Sequence, residues 1–145
     1  MIAGIPEAFR NLIKKALTDV DLSFVDALRN DEALAVSESA DMGVTWADFG
    51  VAQKGALMEV VYDDAAKLAS SLPFTHVALL SSKNMLNDLP QALAQVEKIL
   101  HSSSDDRMPV ISFISGPSKT SDIELKLLYG VHGPNALHVL ILKWI

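Results

Sequence analysis

Between Ser115 and Glu124 the chain reads SGPSKTSDIE, and at 130–134 it reads GVHGP. Ser115, Ser118 and Thr120 bring hydroxyls and Lys119 an ammonium to one short stretch. That set suits a phosphate, a carboxylate or another small anion, because hydroxyls hydrogen-bond it and lysine reaches it as a point charge. Gly116 and Gly133 permit tight turns and close approach of backbone to a ligand. His132, between Gly130 and Gly133, adds a group that exchanges protons near neutral pH.

The same residues have a plainer use. Ser121 and Glu124 match a capping box, with the hydroxyl accepting a backbone N–H while the carboxylate reaches back. Gly116-Pro117 turns the chain and Gly130 ends the helix. Capping leaves Ser115, Ser118, Lys119 and Thr120 without a task, and the sequence alone leaves both readings open. The loop lacks the glycine spacing and final Lys-Ser/Thr order of a Walker A motif. A lone turn histidine such as His132 commonly makes a structural hydrogen bond. His76 and His138 lie in apolar runs and are expected to be buried and hydrogen-bonded, while His101 suits a helix C-terminus. No two histidines are spaced as metal ligands, so no metal site is expected.

Composition narrows the classes. The 145 residues contain no cysteine, which excludes disulfides, thiolate-held zinc or iron–sulfur clusters and a cysteine nucleophile. Redox chemistry would need an organic cofactor, of unknown kind, or a partner subunit. Half the residues are apolar and 21% are charged, as in one globular domain. We read it as a helical segment over 1–33 and a core over 34–145. The net charge of −6, with scattered Lys and Arg, argues against nucleic acid as a partner. No apolar run approaches the roughly 20 residues of a membrane helix. The opening MIAGIPEAFR lacks a basic stretch followed by an apolar one, so a cytoplasmic location is expected. Self-association is left open.

These groups must be positioned by an alternating series of elements. Apolar spacing predicts a helix over 6–17, a short helix around Leu22–Leu28 and a brief strand at Leu34-Ala35-Val36. TWADFGVAQKGALMEVVY reads as a hairpin turning at Lys54-Gly55. A helix over 63–71, a buried strand over 74–81, and a helix capped by Asp88 with Pro90 in its first turn follow. HSSSDDR reads as a solvated loop, 110–114 as a strand, 122–129 as a helix and 137–142 as a strand. The fold class is α/β, a mainly parallel sheet flanked by helices with an antiparallel hairpin. VISFI and LHVLIL have the continuous apolar character of strands covered on both faces. Ligands in such sheets gather beyond the strands' carboxyl ends, at helix N-termini. An anion is therefore expected at the N-terminus of the 122–129 helix, beside the GVHGP turn.

SGPSKTSDIE followed by GVHGP resembles the paired signature of the lactate-utilisation (LUD) domain family, in particular its lactate utilisation protein C-like members. TWADFGVAQKGAL (45–57) and SSLPFTHVALL (70–80) extend the resemblance to about residues 34–142. Lys54 and Ala56 depart from it, standing where the family pattern has Thr or Ser around Gly55, and Lys54 could serve an anion instead. The N-terminus looks shorter than in full-length members. The resemblance implies a fold like ribose-5-phosphate isomerase and the coenzyme A transferases (the NagB/RpiA/CoA transferase class). It also implies a place in L-lactate oxidation beside iron–sulfur partner subunits, this chain binding a small carboxylate or other anion. The fold suggests a second reading, a stand-alone enzyme on sugar phosphates or coenzyme A esters, with Glu124 or Asp122 as base and Lys119 as anion clamp. Lys54 and Ala56 motivate a third, a degenerate domain that mediates assembly.

Overall fold

The computed structural model describes residues 1–103, 108–116, 119–121, 127–129 and 133–144. Helix α1, Glu7–Ala16, has Glu7 in its first turn and Lys14 and Lys15 in its last, each complementing the helix dipole. A single 3₁₀ turn at Val25–Ala27 stands where a short helix is expected. Helix α2, Asn30–Ser39, takes in Leu34-Ala35-Val36, so the brief strand expected there does not form. Helical spacing decides this: Ala33 and Ser37, one turn apart, are both fully buried, and Ser37 donates back to the Ala33 carbonyl.

The strands, in chain order, are β1 (Met42–Ala47), β2 (Phe49–Val51), β3 (Ala56–Val61), β4 (Thr75–Ser81), β5 (Met85–Leu86), β6 (Val110–Ile114), β7 (Lys119–Ser121), β8 (Leu127–Tyr129) and β9 (Ala136–Leu142). Helix α3, Asp64–Ser71, precedes β4 and helix α4, Leu89–Ser102, follows β5. Asp63 caps α3 by accepting Ala66 N–H at 2.8 Å, and Asp88 caps α4 by accepting Gln91 N–H at 3.0 Å. Strands β1, β4 and β9 form a parallel sheet in the order β1-β4-β9. A second sheet has the order β5-β2-β3-β6, and its β2–β3 hairpin turns at Gly55 in the left-handed region. The class is the α/β mixture expected, with a parallel sheet, flanking helices and a hairpin.

Four further expectations are corrected. VISFI, as β6, pairs antiparallel with β3 and does not enter the parallel sheet. Leu127–Tyr129 is not the end of a helix but the strand β8, paired antiparallel with β7. Ser121 lies opposite Leu127 in that ladder, so its backbone is committed to a strand and the helix predicted over 122–129 is overturned; residues 122–126 lie outside the described part. Finally, β9 is not buried on both faces. With β4 its one neighbour in the sheet among the described residues, it leaves Val139, Leu140 and Ile141 at 40, 51 and 48% exposure. His138, expected to be buried, is exposed with them.

Alternation along the strands builds the layers. Val44 and Trp46 of β1 and Val77 and Leu79 of β4 face Ile2, Ile5 and the α1 residues Phe9 and Ile13. The Phe9 and Trp46 rings lie 5.4 Å apart. The other face turns Ala47, Ala78, Leu80 and Leu137 toward Leu57 of β3 and Ile114 of β6, so the two sheets pack face to face. The far side of the second sheet, through Val51 and Met58, receives Ala92, Val96 and Ile99 of α4. Helices α2 and α3 meet around Ala33, Ala66 and Ala69. There α3 lies hard against β1, where a Cβ on Gly43 would stand 1.9 Å from the Ala69 carbonyl oxygen.

Candidate functional site

The close packing of α3 on β1 aims its last turns, with Lys67, Ser70 and Ser71, at the start of β4, where His76 lies. The end of β6 (Ser112, Ile114, Ser115 and Gly116) faces them, and the approach to β9 (Gly133, Pro134 and Leu137) closes the side. Together these segments enclose a cavity of about 300 Å³, at the lower end of the range for small-molecule sites, roughly 300–1,000 Å³. It lies at the amino ends of β4 and β9 and at the carboxyl end of β6. The expected position beyond strand carboxyl ends therefore applies to β6 and not to the parallel sheet.

The lining combines charge, hydroxyls and apolar surface. Lys67 is exposed at the mouth. Ser70 and Ser71 donate to the Lys67 carbonyl at 3.1 and 2.9 Å, which leaves their oxygens as acceptors. Gly116 and Gly133 have φ of 86° and 98°, a conformation that side-chain-bearing residues rarely adopt. Phe113, Ile114 and Leu137 supply the apolar part. Lys67 and the Ser112 and Ser115 hydroxyls are the lining groups that can meet an anion, the Ser70 and Ser71 oxygens suit a ligand hydroxyl, and the apolar side chains suit a short apolar group.

Beneath the cavity wall, between the sheets, lies a polar trio. His76 is 1% exposed, Glu59 2% and Thr45 4%. The Thr45 hydroxyl donates to Glu59 Oε1 and lies 2.7 Å from His76 Nε2. Glu59 Oε1 is itself 3.5 Å from that nitrogen. A threonine hydroxyl has one proton, which goes to Glu59, so Nε2–H is the donor in its contact with Thr45. His76 Nδ1 is buried and has no hydrogen-bond partner among the described residues.

On the far side of the trio, Thr45, Glu59 and Asp48 line a smaller cavity of about 50 Å³. Burial pushes the Asp48 carboxyl above the ordinary carboxylate range. The hydrogen bond it accepts from Val60 N–H opposes the shift and nearby Glu59 adds to it.

Of the residues singled out in the sequence, the cavity brings together Ser115, Gly116 and Gly133. Lys119 and Thr120 stand in β7, opposite Tyr129 and Leu128. Lys54 and Gly55 are exposed in the β2–β3 turn and take no part in the cavity. Ser118, Asp122, Glu124 and His132 lie outside the described residues. Lys67, Ser70, Ser71, Thr45 and Glu59 were not anticipated, and His76 was read as structural. One signal was present: Glu59 interrupts the apolar strand ALMEVV, as His76 interrupts FTHVALL. A charge within a buried strand demands a partner.

Among the described residues no group of three His, Asp or Glu side chains is placed to hold a metal ion. No described helix is long and apolar enough to cross a membrane. The LUD domain model matches residues 5–142. Lactate utilization protein C of Anoxybacillus flavithermus is 35% identical over 114 residues, covering 79% of this chain and 49% of that protein. Its counterpart in Macrococcus caseolyticus is 36% identical over 123 residues, covering 79% and 52%. The chain thus spans about half the length of these curated relatives. A crystal structure of a DUF162 family protein from Deinococcus radiodurans shares the fold, with a TM-score of 0.52 at 16% identity over 97% of this chain and 85% of that one.

Proposed function

Because the chain belongs to the LUD domain family, we propose that it serves lactate utilisation by binding a small carboxylate in the cavity between its two sheets. One observation carries the reading: an ammonium, hydroxyls and two positive-φ glycines converge on a cavity partly lined by apolar side chains. Lactate and pyruvate have that shape, one carboxylate beside a methyl group. The names of the curated relatives support the same process. Ser115, Gly116 and Gly133 hold the ligand beside Lys67. Ser118, Lys119 and Thr120, which follow closely in the chain, remain candidates for further anion contacts, and Lys54-Gly55 a secondary one. With no cysteine to ligate a cluster, the chain works as a non-metal component beside iron–sulfur partner subunits.

Calorimetric titration with L-lactate, pyruvate and inorganic phosphate tests the reading. Lys67→Ala should weaken lactate or pyruvate binding by about 1–3 kcal/mol, the scale of a charge-assisted hydrogen bond. Its melting temperature should barely move, because the side chain is exposed. Lys119→Ala measures whether β7 contributes a second cation. Binding of phosphate alone would favour an enzyme acting on sugar phosphates or coenzyme A esters. Binding of none of the three would overturn the site. Anaerobic purification from the native cell tests the partner, which should be retained on this chain.

A further inference from the structure

We propose that Ser70 and Ser71, at the end of α3, determine specificity: they make the inter-sheet cavity hold a 2-hydroxycarboxylate in preference to the 2-oxocarboxylate of the same carbon skeleton. The carboxylate rests on the reading given under Proposed function. The preference rests on which lining groups still have a hydrogen to donate.

The Ser70 and Ser71 hydroxyls both donate to one oxygen, the Lys67 carbonyl, at 3.1 and 2.9 Å. A carbonyl oxygen has two lone pairs and each serine hydroxyl one hydrogen, so this contact leaves the serines only lone pairs for a ligand. Ser70 is buried and Ser71 half-buried, which limits water at their oxygens. The backbone adds to the same bias. Helix α3 ends at Ser71, and the last carbonyls of a helix lack partners within it and carry the negative end of its dipole. The Ser71 carbonyl oxygen lies 3.9 Å from where a Cβ on Gly133 would stand, and Gly133 lines the cavity. This corner of the cavity accepts hydrogen bonds. Lys67, one turn earlier, and Ser112 and Ser115 on the β6 side are the groups that donate.

A 2-hydroxycarboxylate meets both demands. Its carboxylate accepts from Lys67 and the β6 serines, and its hydroxyl donates to the end of α3. A 2-oxocarboxylate brings only acceptors. Its keto oxygen faces the lone pairs of Ser70 and Ser71 unless a serine turns away from the Lys67 carbonyl to meet it. An ammonium on the second carbon could also donate, but Lys67, on the same face of α3, repels it. The cavity thus keeps the alcohol form and releases the keto form, which puts it on the substrate side of an oxidation.

Calorimetric titration of the full chain with L-lactate, propionate and pyruvate tests the preference. The three differ only at the second carbon, which carries a hydroxyl, no oxygen or a keto oxygen. L-Lactate should bind about tenfold tighter than pyruvate, the difference that one net hydrogen bond makes, with propionate between them. A chain carrying both Ser70→Ala and Ser71→Ala should keep α3, because alanine favours helix. It should bind L-lactate no better than propionate and leave the propionate affinity unchanged, a pattern that a merely structural role would not produce. Pyruvate that binds the wild-type chain as tightly as L-lactate overturns the preference while carboxylate binding stands, whether or not the double variant folds. An advantage of L-lactate that survives in the folded double variant overturns the assignment to these serines. Failure of all three to bind overturns the carboxylate reading and the preference with it.

Discussion

Asp48 occupies the bend between β1 and β2, where its carboxylate accepts Val60 N–H at 2.7 Å. Burial raises its pKa above the value in the unfolded chain, so ionising it costs the fold stability. That penalty is absent below the unfolded carboxyl pKa, grows as pH rises toward the folded one, and is complete above it. Asp48→Asn can still accept from Val60. It should therefore be more stable than the wild type at neutral pH, with an advantage that vanishes in acid. Denaturant melts from pH 3 to 8 would show it, and a constant difference would remove burial as the cause. The residue scale is also where the sequence was hardest to read. Ser115, Gly116 and Gly133 stood out because loop chemistry is local, expressed in adjacent hydroxyls and glycines. Lys67, His76 and Glu59 come from a helix and from strands of two different sheets and meet through packing between layers, which no short window of sequence contains.

Most elements were legible because each carries its own signals. Asp88 caps α4 as expected, the helix expected over 63–71 forms with Asp63 as its cap, and Gly55 turns the hairpin. The errors arose where a local signal met a non-local partner. Ser121 and Glu124 fit a capping box, yet Ser121 pairs with Leu127 in a ladder. VISFI is apolar enough for a parallel sheet, yet it completes the second sheet beside β3. One contact between elements is decisive for the site. Gly43 lets α3 touch β1, and a side chain there would meet the backbone of Ala69, which cannot rotate away. Gly43→Ala should therefore cost about 1–3 kcal/mol or more of stability. It should also weaken ligand binding, because α3 carries Lys67, Ser70 and Ser71. A variant with unchanged melting temperature and unchanged binding would refute the role given to this contact.

At the scale of the whole molecule, the cavity takes its walls from both sheets, so a ligand within it would clamp one sheet to the other. Saturation at a hundredfold excess over Kd should add about 2.7 kcal/mol to the unfolding free energy, readable as a rise in melting temperature. The wiring of those sheets carries a further consequence. The chain leaves the parallel sheet after β1, returns for β4, leaves again for β5 and β6, and comes back for β9. Neither sheet is a continuous stretch of sequence, so neither can fold ahead of the other. Unfolding should be one transition, with equal calorimetric and van't Hoff enthalpies. The central β4 amides should exchange with solvent only through global opening. Because β4 must wait for a strand some sixty residues further on, refolding should fall in the millisecond-to-second range of non-local topologies. A nascent chain lacking β9 would leave that edge of β4 unpaired, exposed to chaperones and to its neighbours alike.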